Sequence, residues 1–412
     1  MPTRRMIVLG AAASATSAIA APTPWRENIK PALDAVVREG RYLPLYTLAK
    51  EGDRNTSRDL IGQWAAIAGD EPLALAGRPL PTDTPPDMIG ATSQNAIAAI
   101  VAAARGRRVV ILNEMHNASR HRLFLGVVLR ALRPHGFTHL AAETFSNEPD
   151  EPPVGALTSR AQLRPAHGFY LWDPVLAEAV REAMALEYQL VSYEARRDQQ
   201  GVSINPQLRV PLREQAQADN LAMALERWPK ARFVVHAGAG HISETNGGTL
   251  GPMFAERLRA RTGIDPLTIG QGWAGSFGPH AIDDNTCAAV LARFRPKTPI
   301  AVWTAAGAPL ERASHGIDMA IYHPRLEDRG GRPGWLAADP ARRRKVIALN
   351  EPAAGPALAQ AIHAADTAPA IPADQHPVVE GARRLVFHLH PGRYRLRLET
   401  ATGFRSLGEI RV

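Results

Sequence analysis

Four apolar runs in this chain each end in an acid or a histidine. Arg108–Leu112 (RVVIL) leads into Asn113, Glu114, Met115 and His116, and His139–Ala142 (HLAA) leads into Glu143. Gln189–Tyr193 (QLVSY) leads into Glu194, and RFVV from Arg232 leads into His236, Gly238, Gly240 and His241. Short apolar runs of this kind read as buried strands, and in an open parallel sheet ligands bind beyond the carboxyl ends of the strands. Scatter would place acids and histidines at the amino ends equally often. Their concentration at one end therefore favours a shared site. Carboxylates and imidazoles brought together suit acid–base work on water, because a carboxylate fixes the tautomer of a histidine that takes up a proton.

Glu114 and His116 lie two apart, so on an extended segment both point the same way. Asn117 is placed to cap a helix beginning near Ala118, whose free N–H groups suit an anionic group or a developing oxyanion. Gly238 and Gly240 allow a sharp turn or a close approach before His241. Arg213, on the helix preceding the fourth run, is placed to orient a carboxylate or to stabilise negative charge. Plainer readings hold for the neighbours. His236 completes its strand, and Glu194 pairs with Arg196 and Arg197. His121, His135 and His139 are surface or packing residues. His388 and His390 alternate on one strand, as an exposed face more readily than as a metal site. The chain has no Gly-x-Ser-x-Gly elbow, Walker loop, His-Glu-x-x-His pair or Cys-x-x-Cys.

The elements that must position these residues follow from periodicity. From Trp25 to about Ala76 the spacing is helical, and a Pro-rich connection, Gly77–Pro86, follows it. Helices are expected over Ser93–Arg105, Ala118–Leu132, Pro174–Glu187, Pro211–Trp228 and Pro252–Arg261, alternating with the four runs and a fifth, Leu267–Gly270. Ile300–Trp303 and Met319–His323 read as further strands, and Arg384–His390 with Arg393–Glu399 as a hairpin turning at Pro391-Gly392. The fold class is α/β: a mostly parallel sheet with helices on both faces, an N-terminal helical segment and a small C-terminal β appendage. The expected organisation is a leader over 1–21, a helical prelude and connection over 22–90, and an α/β domain over 91–330. A connecting segment over 331–368 and the appendage over 369–412 complete it.

Composition narrows the class. With 412 residues, 45% hydrophobic and 21% charged, the chain exceeds one typical domain and is not disordered. The net charge of +8 includes Arg4 and Arg5 of the leader, and aromatics are only 6%. No basic stripe is interleaved with aromatics, so nucleic acid is not the expected partner. In the leader, Arg4 and Arg5 precede an apolar, Ala-rich stretch that closes on Ala18-Ile19-Ala20. It is too short and Ala-rich for a membrane span and reads as an export signal, twin-arginine or general secretory. A periplasmic or secreted protein without a transmembrane span in its mature form is expected. The single Cys287 reads as a small buried apolar side chain and argues against a disulfide framework.

Taken in order, the segments resemble the superfamily of erythromycin esterases, ChaN-type haem-binding uptake proteins and TraB/Tiki proteins, over about Val109 to His241 with weaker support to Trp273. The resemblance rests on Glu114 and His116 in LNEMHNASRHRLFLGVVLRAL, Glu143 in HLAAETF, Arg213 and Asn220 in REQAQADN, and Gly238 and His241 in HAGAGHIS. Asn113 stands where many relatives have Gly, and the single residue between acid and histidine is shorter than esterase members use.

The resemblance leaves two classes open. In the enzyme reading His116 or His241 is the general base on water, Glu114 or Glu143 fixes its tautomer, and Arg213 stabilises the oxyanion of a small-molecule or peptide ester or amide. A metal-dependent variant takes Glu114, His116 and His241 as ligands for Zn, Mn or Co. In the binding reading the same pocket holds haem on a His or Tyr; Tyr170 and Trp172 of GFYLWDP could cover it, although core packing is the plainer reading of both. A third, weaker reading makes the β appendage a docking module of the cell envelope.

Overall fold

In a computed structural model the chain is described over residues 24–412, apart from 53–56, 77–83, 85, 204, 246–247, 273, 276–281, 284, 312–314, 329 and 354. The leader over 1–21, most of the Pro-rich connection and Trp273 lie outside the described residues. The helical prelude forms α1 (Pro24–Glu39), α2 (Leu43–Glu51), α3 (Arg58–Ala68) and α4 (Glu71–Leu75).

The strand–helix alternation then runs β1 (Thr92–Asn95), α5 (Ala96–Ala103), β2 (Val109–Glu114), α6 (Ser119–Leu132), β3 (Phe137–Ala142), α7 (Pro174–Ala185) and β4 (Gln189–Val191). It continues through α8 (Pro206–Arg227), β5 (Arg232–Gly238), α9 (Phe254–Thr262) and β6 (Leu267–Gln271). A short pair, β7 (Ala274–Gly275) and β8 (Ile282–Asp283), precedes α10 (Asn285–Phe294), β9 (Ile300–Trp303) and β10 (Met319–Tyr322). The expected first helix begins late, because Asn95 accepts a bond from the Ala98 N–H and so caps α5 at Ala96. The residues before it pair as β1 with β9.

The eight-stranded sheet has the order β1-β9-β10-β6-β2-β5-β3-β4. From β10 to β4 every neighbouring pair is parallel, whereas β9 is antiparallel to β10 and to β1. Alternate side chains serve opposite faces. Val110, Leu112, Leu140 and Val234 pack under Phe124, Leu129 and Val180 of α6 and α7. Val109, Ile111, Ala141 and Val235 pack under Leu221, Leu225 and Leu258 of α8 and α9. Burial on both faces explains why these strands read as continuous apolar runs. Because β5 lies between β2 and β3, the carboxyl ends of β2, β5, β3 and β4 form one uninterrupted stretch of edge. Among the described residues no helix is long and apolar enough to cross a membrane.

The C-terminal strands are β11 (Arg343–Ala348), β12 (Ala357–His363), β13 (Asp374–Val378), β14 (Arg384–Leu389), β15 (Arg393–Thr400) and β16 (Gly403–Arg411). Two of them fall within 331–368, read above as a connection. The expected hairpin is not formed. β14 pairs with β11, and β15 pairs with β12 and β16. Leu385, Phe387 and Leu389 of β14 share a core with Tyr394, Leu396 and Leu398 of β15. Both strands carry an apolar face, and stacking the two sheets buries both faces at once, which a flat hairpin cannot do.

The β region is bonded to the helical prelude. The buried Glu399 carboxylate of β15 accepts from the Tyr42 and Leu43 N–H groups at 2.9 Å each, so a side chain near the C-terminus caps α2. Gln360 donates to the same carboxylate. Glu399→Ala would leave these donors buried without an acceptor. We expect a loss of about 2–4 kcal/mol in urea unfolding, with a smaller loss for Glu399→Gln. A change within about 0.5 kcal/mol in the Ala variant would contradict the capping role.

Candidate functional site

Glu114, the last residue of β2, is buried among cations. Arg122 of α6 donates to both its oxygens, Nε to Oε2 at 2.7 Å and Nη2 to Oε1 at 2.8 Å. The third arm of Arg122 donates to Asp173 Oδ2 at 2.8 Å, and Nη2 also reaches the His116 carbonyl at 3.0 Å. Asp173 caps α7 through its other oxygen, accepting from the Val175 N–H, while the Ser119 hydroxyl donates to Oδ2. Burial works to raise the Glu114 pKa, but Arg122 and then His236 outweigh it and hold the carboxyl well below the usual range.

His116 stands on this platform. Its Nδ1 bonds Glu114 Oε1 at 2.8 Å, and its ring stacks on Tyr170 at 4.1 Å between centroids and 10° between planes. In the neutral tautomer with its proton on Nδ1, Nε2 is the accepting nitrogen. That nitrogen lies 3.8 Å from Glu143 Oε1.

A second network surrounds Glu143, beyond the end of β3. Arg213 Nη2 donates to Glu143 Oε1 and to Glu194 Oε2, both at 2.6 Å, and Arg213 Nε donates to Glu194 Oε1 at 2.9 Å. The Gly238 N–H donates to Glu143 Oε2. His241 Nε2 lies 3.4 Å from Glu143 Oε1 and 3.3 Å from Arg213 Nη1, and its Nδ1 bonds Glu214 at 2.8 Å. Consecutive residues of α8 thus meet opposite sides of one imidazole. Burial alone would push His241 down, but Glu214 and then Glu143 raise it to about 10, so the ring is cationic at neutral pH. Burial would likewise raise Glu143, and His241 and Arg213 hold it well below the carboxylate range.

The five expected residues, Glu114, His116, Glu143, Arg213 and His241, are thus brought into one connected cluster. Its solvent-facing side chains are His116, Arg213 and Glu194, at 13%, 17% and 19% exposure. Glu194 belongs to the cluster through Arg213. Arg196 pairs with Asp198 instead, and Arg197 with Glu148 and Glu151. His236 is buried in the strand, 3.5 Å from Glu114 Oε2, and burial lowers its pKa. Asn220 supports from behind, donating to the Tyr193 and Glu194 carbonyls.

Several expectations are corrected. Ala118, not Asn117, holds the cap position of α6 and has no side-chain bond, and the Asn117 amide donates to the Ala74 carbonyl at 2.8 Å. Glu114, His116 and His241 do not fit a metal. Arg122 takes both Glu114 oxygens, and His241 gives its Nδ1 to Glu214. Among the described residues no group of three or more His, Cys, Asp or Glu is arranged to hold an ion. Tyr170 and Trp172 pack in the core, the plainer of the two readings given for them. Tyr170 is buried on His116, and the Trp172 indole donates to the Pro165 carbonyl within the helical core. His388 is buried rather than on an exposed face, and His390 lies against Glu178 and Asp339.

Sequence reading missed Arg122, Asp173 and Glu214. Asp173-Pro174 carries a helix-start signature, which the cap fulfils. Arg122 has no such signal, being one of several polar residues at the start of an amphipathic helix.

Gly238 marks a steric limit. A Cβ there would sit 2.9 Å from the His116 ring and 3.1 Å from Glu143 Oε2. Gly238→Ala is expected to displace His116 and to shift its imidazole resonances in NMR titration while far-UV circular dichroism stays unchanged. Unshifted resonances would contradict the contact. The raised His241 pKa means that the folded state binds this proton more tightly than the unfolded chain, whose ordinary value is about 6.5. The resulting stability is complete below about pH 6.5 and is lost as pH climbs through about 10. The gap in unfolding free energy between the wild type and His241→Gln should therefore narrow over that window. A constant gap would show that His241 is not held cationic.

No family model and no curated protein matches the chain. Among solved structures it is similar to the type III effector HopBA1, at 15% identity over 60% of this chain and 99% of that one, with a TM-score of 0.36. It is also similar to RRSP, a MARTX toxin effector domain from Vibrio vulnificus CMCP6, at 16% identity over 55% of this chain and 51% of that one, TM-score 0.35. The expected kinship with erythromycin esterases, ChaN-type and TraB/Tiki proteins is corrected accordingly. No family model or curated protein supports it, and the solved structures named here are bacterial effector and toxin domains.

Proposed function

We propose that the chain is a hydrolase that activates water against an ester or amide at the carboxyl edge of its parallel sheet. The observation that carries this reading is the division of labour between two histidines. His116 has its Nδ1 on Glu114, which suits a neutral ring accepting at Nε2, whereas His241 lies between Glu214 and Glu143 beside Arg213, where its pKa is raised to about 10.

In the proposed reaction His116 Nε2 takes a proton from water as the water oxygen bonds to the carbonyl carbon. The carbonyl π pair moves onto oxygen, and Arg213 with protonated His241 stabilises that oxyanion. When the intermediate collapses, the bond to the leaving oxygen or nitrogen breaks, and the proton held on His116 passes to the leaving group. His116 is regenerated and the acid is released. Glu114 keeps the imidazole in one tautomer and stabilises it when charged. Glu143 and Glu194 hold Arg213 in place.

His116→Ala and His241→Ala should each lower hydrolysis on an ester and peptide panel by about 10²–10⁴-fold. Arg213→Lys should lower kcat more than it raises KM, because its bidentate geometry is lost while the charge remains. Rates indistinguishable from wild type in the His116 variant would overturn the proposal.

A further inference from the structure

All seven tyrosines of the chain are buried, and six of them give their hydroxyl to a protein acceptor. Tyr42, Tyr188, Tyr193, Tyr322 and Tyr394 donate to backbone carbonyls, and Tyr46 donates to the Asp70 carboxylate. The exception is Tyr170, 8% exposed, whose hydroxyl has no hydrogen-bond partner among the described residues. A buried tyrosine hydroxyl ordinarily finds a partner, so one without calls for an explanation.

The ring is fixed while its hydroxyl is left unbonded. One face stacks on His116 at 4.1 Å between centroids, Phe169 meets it edge-on at 5.3 Å, and the Arg122 guanidinium lies 5.5 Å from its centroid. A single helical turn, Tyr170–Trp172, carries it, and the Asp173 cap of α7 follows directly. Glu143 and then Arg213 are the charges that act most strongly on the hydroxyl, ahead of Glu114 and Arg122, so it lies toward the Arg213 side of the cluster. Glu143 does not take it as a donor, because its Oε1 accepts from Arg213 and its Oε2 from the Gly238 N–H. Burial and then Glu143 hold the phenol pKa well above its ordinary value, so the group keeps its proton at neutral pH.

We propose that the Tyr170 hydroxyl is a further catalytic donor at this site, giving a hydrogen bond to the oxyanion that forms when water attacks the carbonyl. This rests on the hydrolase reading above. The hydroxyl donates without transferring its proton, so the bonds made and broken are those of the hydrolysis itself. Arg213 and His241 already hold bonds to carboxylates, whereas Tyr170 gives up none when an oxyanion arrives. A donor held on a fixed ring needs little rearrangement to meet the developing charge.

Tyr170→Phe keeps the ring and its stack on His116 and removes only the hydroxyl. On esters that the wild type hydrolyses, kcat should fall about 10²–10³-fold with KM little changed. The melting temperature should stay within about 2 °C and the His116 imidazole resonances should not move, since the hydroxyl holds nothing within the protein. A second arm needs no turnover. In calorimetry with phenyl methylphosphonate, whose tetrahedral anion resembles the intermediate, the variant should bind at least about tenfold more weakly, equivalent to roughly 1.4 kcal/mol. Hydrolysis by the wild type with an undiminished kcat in the variant would overturn the role of Tyr170 and leave the hydrolase reading standing. A wild type inactive on the whole panel would overturn that reading instead. The phosphonate would then decide on the hydroxyl, and equal affinity in both proteins, or none in either, would sink it. A melting temperature lowered by several degrees would mark the hydroxyl as a structural bond and overturn the proposal as well.

Discussion

The buried guanidinium of Arg122 is the constraint on which the rest of the site depends. It is fully shielded from solvent and gives its arms to Glu114, to Asp173 and to the His116 carbonyl. A charge taken this far from water is tolerable only when it is fully paired, and removing one partner of such a group costs about 3–5 kcal/mol. The pairing therefore clamps the end of β2, the first turn of α6 and the start of α7 into one geometry. His116 inherits that geometry through Glu114, and Tyr170 closes on the other face of its ring.

The second cluster follows the same logic with one difference. Arg213 carries its positive charge at the edge of solvent with His241 buried behind it, and Glu143, Glu194 and Glu214 hold them there. Charge and countercharge alternate across adjacent strand ends. One ring rests on a carboxylate already committed to Arg122, and the other sits between two carboxylates whose attraction exceeds the cost of its burial. Preorganised charge of this kind needs little rearrangement when a reacting group gains charge.

Much of this was legible before any coordinates. A strand buried on both faces leaves an unbroken apolar run, and the first polar residues after it must lie at its exit from the sheet. That is why Glu114, Glu143, Glu194 and His241 could be placed at one edge from order alone. The partners were not legible, because they come from packing across the chain. Glu214 reads as one more polar residue of α8 until its face is seen to meet His241, 27 positions away. Arg122 sits among His121, Leu123 and Phe124, where nothing local separates a buried cation from a solvated one. The Arg384–Glu399 segment failed for a related reason. Its turn chemistry suits a hairpin, but two apolar faces needed a common core, and the strands took partners in different sheets.

The Glu399 cap on α2 has a consequence for the order in which this protein can be made. The donor and acceptor are separated by 356 and 357 positions, nearly the full length of the chain. The first turn of α2 is completed by β15, a strand made long after it. Until then those N–H groups must stay hydrated, and the apolar faces of the first helices lack the β12 side chain Leu358 that covers them. The helices of the prelude thus complete their contacts only with strands that lie far later in the chain.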